Sequence, residues 1–372
     1  MHPSIDALER VLDEVVRPDA DKVDAEAVFP RPAIAALGEA GLLGLTVAGS
    51  HGGGGGDLGD AAEVVRRLAG ACGSTAMVVL MHYAATAAFE AAGSDERRRA
   101  IARGDELVTL AFSERGSRSH FWAPLGTAVA IERGVRLDAR KSWVTAAGEA
   151  TTYVWSSRPV GTAGPMTLWE VPAATPGISA PGAFDGLGLR GNRSAPIAAD
   201  GAVVPASARL GEDGGGLDLA LAAVLPTFLV LSAAFSVGLM EAVTGETGTH
   251  LVTTRLEHLD ERLVDQPLQR VDHARMRVAT DQAAALLADT LAALAAGRPE
   301  AMLRVLEVKA AAGEAAVAVT DLAMKVCGGA AFRRELGVER RFRDARAARV
   351  MAPTTDALLD FVGRAINGMP LW

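Results

Sequence analysis

Apolar positions along this chain change their period twice. Up to about residue 108 they recur at helical spacing. Residues 5–16 and 33–41 each read as a helix, and in 60–68 Ala62, Val64, Val65 and Leu68 share one face. Residues 74–92 form a long apolar helical run and 94–103 a charged one. From 107 to 210 the pattern shortens to that of strands. Residues 107–112, 151–156 and 166–171 are β-rich, and 128–138 reads as a hairpin around the Gly134 turn. Gly and Pro punctuate these runs, which predicts a small β-barrel or sandwich. From about 215 to 367 long Ala- and Leu-rich amphipathic segments return. The expected architecture is α+β: an all-α domain over 1–108, a β domain over 109–212 and a helical domain over 213–372.

Two stretches need a separate reading. Residues 219–237 carry no charge and approach membrane-spanning length, but Pro226 interrupts them and helical patterning flanks them. A buried helix is expected, not a membrane span. The Gly-rich run 50–57 lacks a following Gly-Lys-Ser/Thr, so it is expected to be a flexible turn and not a phosphate-binding loop.

Composition narrows the function classes. With 372 residues and 49% hydrophobic residues the chain has ample apolar surface for a core, and its Ala- and Leu-rich, aromatic-poor make-up favours helices. The formal net charge of −8 argues against a nucleic-acid surface, which needs a concentrated basic face. Cys72 and Cys327 show no metal-ligand or disulfide spacing, so no metal site is expected. No basic region followed by an apolar run opens the chain, and the expected compartment is the cytoplasm.

Four segments carry candidate chemistry. In Phe112-Ser113-Glu114-Arg115-Gly116-Ser117-Arg118-Ser119-His120, small and hydroxyl residues follow a strand, so backbone N–H groups can approach an anion or a flat ring. In Lys141-Ser142-Trp143-Val144-Thr145, strand alternation places Trp143 and Thr145 on one face, where an indole can stack on a flat ligand and a hydroxyl can bond its edge. Gly188-Leu189-Arg190-Gly191-Asn192-Arg193-Ser194 is a polar, Gly-broken loop. Lys325-Val326-Cys327-Gly328-Gly329 closes a helix and is followed by Arg340-Arg341-Phe342-Arg343-Asp344.

The order and spacing of these segments resemble the acyl-CoA dehydrogenase family across nearly the whole chain. The family pattern is a Thr-Glu-Pro-x-x-Gly-Ser-Asp loop, a Gly-x-Lys-x-Trp-Ile-Thr strand, a Gly-x-Arg-Gly-Ser loop, a Gln-x-x-Gly-Gly turn and an Arg-Asp helix before Glu-Gly-Thr. The resemblance implies an N-terminal helical domain, a middle β-barrel and a C-terminal four-helix bundle. It implies FAD as cofactor, held by Phe112, Ser113, Ser119, Trp143, Thr145, Thr354 and Asp356. Arg255, Lys325, Gly328 and Gly329 would serve a neighbouring subunit's FAD. An acyl-CoA or acyl-carrier-protein thioester is the implied substrate. An electron-transfer flavoprotein is a possible partner, and a homo-oligomer (dimer or tetramer) or a heteromer is implied. Lys325 replaces the family's Gln, Arg115 its Pro, His120 its Asp, and His258-Leu259 its Phe-Gly.

The resemblance also implies a carboxylate base that takes the substrate's α-proton while the flavin takes the β-hydride. Ala352 stands at its position, in Met351-Ala352-Pro353-Thr354-Thr355-Asp356. The alternative position for the base in the family falls near Phe228. A base typically contributes about 10²–10⁴-fold. Three readings are open. The base has moved, with His120, His82, Asp356, Asp218 and Glu241 as candidates. Or the chain is a flavin-dependent monooxygenase on the same fold. Or it is a non-catalytic partner subunit of a heteromeric dehydrogenase.

Overall fold

A computed structural model of the protein describes residues 4–117 and 120–371. The helical start consists of α1 (Ser4–Val11), a π-turn, α2 (Arg17–Ala25), α3 (Arg31–Glu39), α4 (Leu58–Ala71), α5 (Gly73–Ala92) and α6 (Asp95–Ala102). Local chemistry marks the ends. Pro lies at the start of α3, where its missing N–H costs nothing, and the Ser94 side chain caps α6 by accepting from Arg97 N.

Strands begin at residue 108, as the pattern predicts. They are β1 (Val108–Ala111), β2 (Thr127–Ile131), β3 (Gly134–Val144), β4 (Thr152–Ser157), β5 (Thr167–Pro172), β6 (Ile178–Ser179), β7 (Ala195–Val204) and β8 (Arg209–Leu210). They form two four-stranded sheets, ordered β1-β4-β5-β8 and β2-β3-β7-β6. The β2–β3 hairpin turns at Gly134. It belongs to the second sheet, so β1 meets β4 only after a long crossover and the two run parallel. Every residue of β1 and β4 is buried, whereas β3 alternates, so the first sheet is covered on both faces and the second on one. Tyr153, Trp155 and Trp169 fill the first sheet's surroundings.

Helices return with α7 (Gly216–Leu219), a π-turn over Ala220–Val224, and α8 (Leu225–Thr253). Pro226 has no N–H for the preceding turn, and the wider π-turn sits just before it. This 38-residue stretch is apolar and long enough to cross a membrane, yet 72% of its most apolar window is packed inside the protein. A short β9 (Arg255–Leu256) and β10 (Glu261–Arg262) hairpin leads to α9 (Pro267–Ala295), α10 (Ala301–Cys327), α11 (Val338–Ala345), α12 (Ala347–Val350) and α13 (Thr355–Ile366). Helix α10 is the centre of this part and packs on α9, α11, α12 and α13.

The chain forms two compact units. One comprises residues 1–64, 77–186 and 190–228, and the other 65–76, 187–189 and 229–372.

The glycine run does not behave as the expected flexible turn. Gly53, Gly54, Gly55 and Gly56 donate to the carbonyls of Ala48, Gly44, Val47 and Leu45, so the run lies flat against residues 44–48. A Cβ on Gly53 would stand 2.2 Å from the Val47 carbonyl oxygen. Glycine is needed here for close approach, not for mobility. Gly53→Ala is therefore expected to lower stability by about 1–3 kcal/mol through overpacking. A urea midpoint equal to that of the unaltered protein would contradict this packing.

Candidate functional site

Strand β3 carries the key side chain. Val135, Leu137, Ala139 and Lys141 alternate inward along it. Continued alternation would bury Trp143 as well. Between Lys141 and Val144, however, three steps on β3 face only two on β7 (Ile197 to Ala195), which is a β-bulge. The bulge reverses the alternation. Trp143 takes φ +56° and its side chain turns outward, while Val144 turns in. A bulky residue in that backbone region costs about 1–3 kcal/mol. The Trp143 indole remains 63% exposed, and the Phe184 ring lies 4.3 Å away at 34°.

Thr145 goes elsewhere. It is 5% exposed, with its hydroxyl 3.4 Å from that of Ser194. Ala146 and Ala147 donate to the carbonyls of Asn192 and Arg193, so residues 190–194 back this turn. The expected shared face of Trp143 and Thr145 is thus broken by the bulge.

The loop after β1 is strapped to the same stretch of β3. Ser142 N donates to Ser113 O at 2.9 Å and Arg115 N to Arg140 O at 3.1 Å. Ser113 is half-buried, and the Phe112 ring lies almost parallel to Phe121 at 6.4 Å. Ser119 lies outside the described residues. Beneath the loop, Lys141 Nζ donates to Glu114 Oε1 (2.5 Å), Ser156 O (2.7 Å) and Ser156 Oγ (2.9 Å). Glu114 Oε2 accepts from Leu125 N (2.5 Å) and Gly126 N (2.9 Å). Both side chains are shut away from solvent. Burial pulls the Lys141 pKa down to about 8, against the attraction of Glu114. Removing one half of such a pair typically costs about 3–5 kcal/mol.

The base candidates fare differently. His82 is fully buried, with Nε2 2.9 Å from Leu43 O and Nδ1 accepting from Val108 N at 3.1 Å. Facing a carbonyl, Nε2 must carry the hydrogen, so neither nitrogen is left for a substrate proton. Burial also lowers its pKa to about 4. It is a packing residue, not a base. His120 is exposed; Nδ1 faces Ser117 O at 3.1 Å, and the ring meets Trp122 edge-on at 5.0 Å. Its Nδ1 is then the donor, which leaves the Nε2 lone pair available. Glu241 is ion-paired to Arg66 at 2.5 Å, and Asp218 is exposed in the first turn of α7.

In the second unit the segment around Ala352 is held by a lysine. Lys309 Nζ, on α10, donates to Ala348 O (3.3 Å), Met351 O (2.9 Å) and Pro353 O (2.6 Å). In its protonated form the side chain has three hydrogens for the three carbonyls that bracket Ala352. Thr354 caps α13 by accepting from Ala357 N, and Asp356 sits exposed in that helix's first turn. Lys325 donates to Asp272 at 2.7 Å, and Arg255 pairs with Asp260 beside the β9–β10 hairpin. Gly328 has φ +55°, and a Cβ on Gly328 or Gly329 would meet nothing within 4 Å.

Lys309, the Glu114–Lys141 pair and Phe184 are what motif reading misses. Two of them leave a signal. Lys141 continues the inward set Val135, Leu137, Ala139, and Lys309 lies on the apolar stripe with Val305, Leu306, Val308 and Ala312. A lysine at a buried periodic position demands partners. Phe184 leaves none.

Comparison with known proteins places the chain. The family models described as acyl-CoA dehydrogenase N-terminal domain and C-terminal domain match residues 4–104 and 214–367. The chain belongs to the acyl-CoA dehydrogenase family. It is 26% identical to the human mitochondrial short-chain specific acyl-CoA dehydrogenase, over 91% of this chain and 83% of that protein. The butyryl-CoA dehydrogenase of Megasphaera elsdenii shares the fold at TM-score 0.91 and 20% identity, with 98% of each chain covered. The prolyl acyl carrier protein oxidase AnaB shares it at TM-score 0.88 and 20% identity, again over 98% of each.

Lys309 yields a pH test. Burial lowers its pKa to about 7 from an ordinary 10.5, with no carboxylate to oppose the shift. Between those values the unfolded chain holds a proton here that the folded chain lacks. Stability therefore rises with pH from about 7 to 10.5 by up to about 1.4 kcal/mol per pH unit. Lys309→Met removes that component. Equal slopes of unfolding free energy against pH in the two proteins would contradict it.

Proposed function

We propose that this chain is an FAD-dependent oxidoreductase that removes hydrogen from an acyl thioester carried by CoA or by an acyl carrier protein. Family membership supports the class, and both carriers are represented among the similar proteins, an acyl-CoA dehydrogenase and an acyl carrier protein oxidase. The observation that carries the reading is Trp143. A large aromatic face is held out of the core by a bulge and a costly backbone conformation, beside Ser113, which is bonded to the same stretch of strand. Strain of this kind marks functional positions, and an indole face suits a flat ring.

Dehydrogenation breaks one C–H bond at Cα and one at Cβ. When bound, FAD supplies the acceptor for the hydride from Cβ, and an electron-transfer flavoprotein belongs to this reading as the next acceptor. The proton from Cα needs a base on the chain. Ala352 offers a methyl group, and Phe228 is buried and untitratable. We assign the role to His120, whose Nδ1 is turned to Ser117 O, leaving Nε2 to accept.

The purified protein is expected to be yellow, and a short acyl-CoA should bleach it under argon. Trp143→Ala should lower its flavin-to-protein ratio, because a stacking face is lost; an unchanged ratio removes Trp143 from the site. Oxygen uptake in air with added reduced flavin would favour a monooxygenase, and flavin acquired only with a second chain would favour a partner subunit.

His120→Gln should slow bleaching about 10²–10⁴-fold with the flavin content unchanged. An unaltered rate would rule His120 out as the base.

A further inference from the structure

We propose that Glu114 and Lys141 are a positioning pair that fixes the Ser113 loop and the Trp143 bulge in one geometry for the flavin. The proposal rests on the FAD reading above. Lys141 occupies the last inward position of β3 before the bulge, two residues from Trp143. Its ammonium reaches Glu114 in the loop and both Ser156 oxygens on β4, so one Nζ joins the loop to both sheets. The three donors meet three oxygens with none left over.

Glu114 works in the other direction. Its second oxygen gathers the Leu125 and Gly126 N–H groups and so closes the loop's far end onto its near end. The backbone bonds Ser142 N to Ser113 O and Arg115 N to Arg140 O lie on either side of the pair. The space is tight. A Cβ at Gly126 would stand 2.6 Å from Ala139 Cβ and 3.0 Å from Glu114 Oε1, so glycine at 126 is what lets the loop's end lie against the strand and the carboxylate. A plain core would be served by an apolar pair of similar volume, which is often as stable as a buried ion pair. What the ion pair adds is a fixed distance between the loop's Ser113 and the bulge's Trp143. That distance matters when one rigid ring must touch both.

The test uses the full-length protein, freed of flavin and titrated with FAD while following flavin absorbance and fluorescence, with thermal melts of the flavin-free forms. Two variants are compared. Glu114→Asp keeps the charge but is too short to hold Lys141 and both N–H groups at once. Glu114→Gln with Lys141→Met removes both charges. Glu114→Gln with Lys141→Met is expected to melt close to the unaltered protein and Glu114→Asp lower, because it leaves buried groups unmet, yet each is expected to bind FAD about tenfold or more weakly, because preorganisation is lost, with a shifted flavin absorption band. If either variant folds and binds FAD with unaltered affinity and spectrum, the pair is structural only and the proposal falls. If both variants melt far lower than the unaltered protein, the pair holds the core and not the flavin geometry, and the proposal falls too. If the unaltered protein itself takes up no FAD, the flavin reading fails first and takes the pair's role with it.

Discussion

A lysine ammonium shut away from water sets the shape of the middle of this protein. Lys141 must find oxygens where β3 carries it, and it finds them on the loop after β1 and on β4. The alternation that buries Lys141 would also bury Trp143, and one extra residue prevents this. Trp143 is thereby turned out while the strand on both sides stays packed. Ion pair and bulge act together. The first ties the strand to the loop after β1 and to β4, and the second decides which way its last large side chain faces.

The second unit repeats the device with different partners. Lys309 sits on a helical stripe of apolar residues, and its three hydrogens meet the carbonyls of Ala348, Met351 and Pro353. The backbone around residue 352 is thus tied to α10, although Ala352 has nothing to titrate. The family resemblance expects a base there, and on the proposed reading the chain must supply it from another segment. This is why the proton acceptor is sought on the loop with His120, which carries the free imidazole nitrogen that His82 lacks.

Much of this was legible in the sequence. Helical spacing found α4, α5 and α6, and alternation with a Gly turn found the β2–β3 hairpin, because each period reports a single buried face. The motifs led to the family. Three things were not legible. The bulge at Trp143 arises from pairing with β7, more than fifty residues away, so local alternation misjudged Thr145. The 50–57 glycines read as slack, whereas they answer to the carbonyls of Leu45 and Val47. The contact of Phe184 with Trp143 joins two segments that no spacing rule links.

The most direct measurement is a crystal structure of the protein grown with excess FAD. The account predicts density for the flat ring system against the Trp143 indole, with the Ser113 loop along its edge. Density that places the ring away from Trp143, with the indole still open to solvent, would contradict it.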